Sequence, residues 1–145
     1  MSDKISFSCS VEPLNPAMPV GFELWFDGKC VTDITSLTET TDLKFEFEEA
    51  DCEHCVEFVL KNKTAEHTTV DAQGNIVNDS TIKLKNICLD EIDITNIVQN
   101  VVKYHHDFNS TADPIIDEFY GEMGCNGRAV LKFSDPVYLW LLENL

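Results

Sequence analysis

Basic side chains are scarce. Ten Lys and Arg stand against 26 Asp and Glu in 145 residues, a formal net charge of −16, and Arg128 is the sole arginine. A chain so poor in cations cannot line a phosphate backbone or an anionic bilayer with positive charge, which excludes nucleic acid and membrane as expected partners. Long apolar runs are missing as well. The longest, Val137-Tyr-Leu-Trp-Leu-Leu142, is too short for a secretory signal or a membrane span. The expectation is a protein synthesised in a cytoplasm and not secreted by a signal peptide. In that compartment the six cysteines (Cys9, Cys30, Cys52, Cys55, Cys88 and Cys125) are expected as thiols. Catalytic signatures are lacking too: there is no GxSxG, no phosphate-cradling glycine loop and no Cys/His nucleophile motif. The chain reads as a non-enzyme.

What is present is period-two alternation. Hydrophobic residues make up 43% and aromatics 10%, enough for the core of one domain spanning residues 1–145. Phe22, Leu24 and Phe26 alternate with Glu23, Trp25 and Asp27, and Asp27-Gly28 then turns the chain into Lys29–Thr32 as a hairpin. The same alternation runs through Leu43–Phe47, Val56–Leu60 and Ala129–Phe133. Asp71-Ala-Gln-Gly74 predicts a turn closing a second hairpin between His67–Val70 and Asn75–Asp79. Ile82 and Leu84 face one way while Ile87 and Leu89 have changed parity, so a bulge is expected near Lys85-Asn86. Ile92 and Ile94 continue the pattern, and Val101–Tyr104 reads as the start of another strand. Only the C-terminus carries a helical spacing, with Asp135 as N-cap, Pro136 opening the first turn, and Val137, Trp140, Leu141 and Leu145 recurring near helical intervals, although the same residues would also suit a last, doubly buried strand. The expected fold is all-β: a single antiparallel β-sandwich of jelly-roll type with a short C-terminal helix. Its core is drawn from Leu24, Phe26, Phe45, Phe47, Phe58, Leu60, Ile82, Leu84, Ile94, Leu131 and Phe133.

Four constellations are candidates for chemistry. Trp25 shares a polar strand face with Glu23 and Asp27, the arrangement of an aromatic platform that stacks on a sugar ring. The plainer alternative is that a covering element around Trp140 buries it. Asp71, Asn75 and Asp79 supply oxygen ligands of the kind calcium prefers, although Gly74 stands too close to Asp71 for an EF-hand. No other cofactor is expected. Cys52-Glu-His-Cys55 has the spacing of half a zinc site but no second ligand pair, so buried structural thiols are the favoured reading. His105-His106-Asp107 contains the first half of an iron-binding facial triad, and no histidine follows to complete it. Acidic runs such as Glu46–Asp51 and Asp90–Asp93 read as solvated faces, or as a surface for a more basic protein.

Three stretches resemble a known group: Leu60–Asp79, Tyr104-His-His-Asp-Phe-Asn109, and Glu118–Arg128 running into Pro136–Asn144. They are similar to small β-sandwich proteins of T4-like marine tailed phages, cyanophages especially. The resemblance implies synthesis in the cytoplasm of an infected bacterium and incorporation into the virion, with other virion proteins as partners; a homo-oligomer is a separate option that the sequence leaves open. The first functional expectation is therefore a structural or accessory module on the phage head, neck or tail. The alternative is a carbohydrate-binding module, calcium-dependent or not, that engages host surface glycans.

Overall fold

The structure is a computed structural model and describes residues 4–107, 109 and 112–144. Two antiparallel sheets face each other. One orders its strands β12 (Glu122–Met123), β8 (Ile82–Leu89), β1 (Lys4–Pro13) and β4 (Thr41–Glu48), with β9 (Ile92–Asp93) also paired to β8. The other runs β11 (Ile115–Glu118), β10 (Lys103–His106), β13 (Gly127–Ser134), β5 (Glu53–Lys61), β2 (Gly21–Phe26) and β3 (Lys29–Ile34). Along the chain the two sheets are visited alternately, β1 in the first, β2–β3 in the second, β4 in the first, β5 in the second, and so on to β13. That alternation is the winding of a jelly roll. A separate two-stranded ribbon, β6 (Thr68–Val70) with β7 (Ile76–Asp79), interrupts it.

The core lies between the layers because the central strands each turn one apolar face inward. Phe7 of β1 meets Phe58 of β5 with ring centroids 6.1 Å apart, and Phe47 of β4 meets Phe26 at 4.8 Å and Phe133 at 5.8 Å. Each such buried ring contributes about 1.5–3 kcal/mol by leaving water. Of the expected core residues, Phe26 and Phe45 are partly buried against the cluster, and the others are buried within it.

The turn chemistry matches the sequence. Asp27 and Gly28 take φ of 48° and 82° between β2 and β3, and Gly74 takes 85° where its amide donates to the Asp71 carbonyl at 3.0 Å. The parity change in β8 is a bulge: Ser8 pairs with Cys88 but Ser10 with Lys85, and Asn86 takes φ of 53°. Gly127 is required by close approach, since a Cβ there would stand 2.3 Å from the His105 carbonyl oxygen across the β10–β13 pair.

Three expectations are corrected. β1, with Ile5, Phe7, Cys9 and Val11 buried, is a central strand that the sequence reading passed over. Ile94 is buried, but it caps a helix, α1 (Thr95–Val101), instead of extending a strand. The C-terminal helix α2 (Val137–Asn144) is present, with Trp140 packed edge-on to Phe133. Leu145 lies outside the described residues. Asp135 does not cap α2; its carboxylate turns back to the amides of Ala50 and Cys52.

Candidate functional site

The outward residues of the six-stranded sheet form rows fixed by strand register. One row reads Cys30, Trp25, Glu57, Val130, Lys103 and Glu118; the next reads Asp33, Glu23, Val59, Arg128, His105 and Ile116. Trp25 is half-buried and stands with Glu23 as expected. Its indole N–H donates to Glu23 Oε1 at 2.7 Å, while Glu23 Oε2 accepts from Lys61 Nζ at 2.8 Å. The same ammonium donates to Asp33. Hydrogen bonds to Asp33 and Glu23 raise the Lys61 pKa, and the Lys61 and Trp25 donors lower that of Glu23. Trp140 belongs to the core side of the sheet, against Phe133, so it does not cover Trp25.

Asp27 leaves this group. At the positive-φ position of the turn its carboxylate swings to the sheet end, accepting from the Cys55 amide at 2.8 Å and meeting His54 Nδ1 at 2.8 Å. The alternation that put it beside Trp25 ends at Phe26, the last residue of β2.

Beside Trp25 the face deepens into an open groove of about 780 Å³, lined by Glu57, His105, Arg128, Val130, Lys132 and Ile116 among others. Arg128 Nη1 donates to Glu57 Oε1 at 3.0 Å, and Glu57 is also the cross-strand partner of Trp25. By register and groove lining, six acids (Glu23, Asp33, Glu53, Glu57, Asp107, Glu118) and four bases (Lys61, Lys103, Arg128, Lys132) share this face, so it carries only a small part of the chain's net charge of −16. Neither Arg128 nor His105 was singled out for a binding face from sequence; the signal was their outward parity with Trp25 on paired strands, which needs the pairing to be known.

The expected calcium ligands are not brought together. Asp71 accepts from the amides of Gln73 and Asn75, both at 2.9 Å, and the Asn75 side-chain amide points its N–H at Asp71. Asp79 stands at the other end of the ribbon, opposite Thr68, with Oδ1 taken by Lys63 Nζ at 2.6 Å and by the Thr68 hydroxyl at 2.7 Å. Burial alone would raise the Asp79 pKa, but the Lys63 and Thr68 hydrogen bonds lower it. Cys52 and Cys55 do not chelate as a pair, because Cys55 lines the outer groove while Cys52 lies beside the inward His54. His105 and His106 fall on opposite faces of β10, and no third ligand joins His105 and Asp107 among the described residues. No disulfide links the six cysteines.

A different group does converge. His54 is buried among the rings of Phe26, Phe47 and Phe133, with Nδ1 2.8 Å from Asp27 Oδ2 and Nε2 2.9 Å from Asp135 Oδ2. Burial would lower the imidazole pKa, yet hydrogen bonds to Asp27 and Asp135 outweigh it and the net shift is upward. Asp135 is buried, which pushes its carboxyl up, and the donors Ala50, His54 and Cys52 reverse this to a net lowering. Cys52 Sγ sits 3.8 Å from His54 Nε2.

No family model and no curated protein matches the chain. Among solved structures it is similar to a carbohydrate-binding module, described as vCBM60 in complex with galactobiose. The two share 13% identity at a TM-score of 0.49, over 86% of this chain and 95% of that one.

Proposed function

We propose that the protein is a non-enzymatic binding module that holds a neutral glycan on the outer face of its six-stranded sheet. The observation that carries this reading is the platform itself: a half-buried Trp25, anchored through its N–H, is the cross-strand partner of Glu57, which lines the groove and accepts from Arg128. A sugar ring offers an apolar face to an aromatic and hydroxyls to planar charged groups, and this face supplies both within one row. Preorganised pairs such as Glu57–Arg128 accept and donate without first being ordered. The excess of acid here and over the rest of the surface favours uncharged sugars, since an anionic glycan would be repelled.

Glycan-array screening with the whole chain, followed by calorimetric titration of the best neutral ligand, tests the assignment. Trp25→Ala is expected to lower affinity about tenfold or more, in line with the loss of a stacking contact plus its apolar burial, while circular dichroism stays that of the parent. Unchanged affinity in both Trp25→Ala and Arg128→Ala would remove the face from consideration.

A second reading, the virion accessory module of a tailed phage, is supported by charge. Most of the −16 lies on the rest of the surface, where it favours a basic protein partner and an association that weakens with salt. Mass spectrometry of purified virions from infected cells tests this second reading on its own, since a glycan-binding virion protein would satisfy both.

A further inference from the structure

We propose that Cys52, His54 and Asp135 form a site for a borderline-soft divalent ion, zinc foremost, with Asp27 as the outer partner that orients the imidazole. Their ligand atoms lie within 4.8 Å of one another. Around a tetrahedral zinc, ligand atoms stand roughly 3.2–3.8 Å apart. The Cys52 Sγ to His54 Nε2 separation of 3.8 Å already fits, and the 2.9 Å between Nε2 and Asp135 Oδ2 needs to open by only a few tenths of an ångström.

The supporting geometry is that of a held ligand set. Asp27 occupies Nδ1, so Nε2 is the nitrogen left to face Cys52 and Asp135. A carboxylate on the far nitrogen of a ligating histidine fixes the ring and strengthens it as a donor. Asp135 is fixed in turn by the amides of Ala50 and Cys52, at 2.9 and 2.7 Å, so its oxygens cannot swing away. The rings of Phe26, Phe47 and Phe133 keep one side of the site dry, while Cys52 at the surface leaves an approach from solvent. One sulfur, one nitrogen and one oxygen suit zinc or cobalt and do not suit calcium, which takes oxygen. Three protein ligands leave a fourth position for water.

Binding balances without an external reagent. The Cys52 thiol gives up its proton and binds as thiolate, Nε2 offers its lone pair after releasing any proton it carries, and Asp135 binds as the carboxylate it already is, the released protons passing to solvent.

Cobalt(II) titration of the reduced whole chain tests the site, followed by displacement with zinc. One equivalent of cobalt is expected to give visible d–d bands of tetrahedral intensity and a near-ultraviolet thiolate-to-metal band. Cys52→Ser should abolish the thiolate band and weaken binding at least tenfold, Cys55→Ser should leave both unchanged, and Asp27→Asn should weaken binding about 10–100-fold. Absence of a stoichiometric spectrum, or a thiolate band that survives Cys52→Ser, would overturn the proposal.

Discussion

The β6–β7 ribbon and the His54 corner are both built around a pair of aspartates, and only the corner turns its pair onto one point. In the ribbon each carboxylate is answered close by in the chain or by a single lysine: Asp71 by the amides of its own turn, Asp79 by Lys63 and Thr68. In the corner, Asp27 and Asp135 come from 27 and 81 residues away in sequence to opposite nitrogens of one ring. Density of acid along a sequence therefore marks turns and their amides, whereas a site arises where strand ends meet.

Removing Asp135 should widen the difference most. Asp135→Ala leaves two amides and a buried imidazole without their acceptor, and urea unfolding is expected to show a loss of about 3–5 kcal/mol. A loss below about 1 kcal/mol would make the corner no different from a surface pair. Lys63 is the ribbon's counterpart, almost fully buried with Nζ on Asp79 and on the Gly124 carbonyl. Lys63→Met is expected to cost about 1–3 kcal/mol by orphaning those acceptors.

Acid should probe the same contact. The folded pKa of Asp79 lies below its ordinary value of 3.8, so its contribution is present above that value and is lost as pH falls through the folded one. Asp79→Asn should flatten the acid limb of the stability profile at and below the ordinary value of 3.8, as followed by denaturant titrations at each pH. Thiol labelling sharpens the comparison further. Burial pushes the Cys9 thiol up to about 12, so iodoacetamide at neutral pH should spare Cys9 until the chain unfolds while modifying exposed Cys30 and Cys52. Prior addition of zinc should protect Cys52 alone of those two. The smallest effect belongs to Asp71→Ala, a change at an exposed turn, where the melting temperature should fall slightly and calcium should not alter it.

Much of the sandwich was legible because burial of one strand face writes itself as period two. Phe22–Phe26, Val56–Leu60 and Ala129–Phe133 all lie as their alternation requires. β1 carried the same signal in Ile5, Phe7, Cys9 and Val11, but serines fill its middle outward positions and charge marks the wet face only at the strand ends, at Lys4 and Glu12. α1 is only two turns long, and the spacing of Ile94, Ile97, Val98 and Val101 was its trace. The Trp25–Glu23 pairing followed from parity within one strand. The Arg128–Glu57 contact and the meeting of Asp27, His54 and Asp135 did not, since they depend on which strands become neighbours.

The open edge at β11 bears on how the protein behaves in a concentrated sample. All four of its residues are exposed, and Ile115 and Ile116 present apolar side chains along a strand whose second side has no neighbour among the described residues. Such an edge is a template for stacking one copy on another, and mutual repulsion between strongly anionic chains is what opposes it. Colloidal behaviour should accordingly be set by titration of the whole surface instead of by melting. Dialysis towards the isoelectric region near pH 4.3 should cloud the solution while far-ultraviolet dichroism still reports an intact sheet.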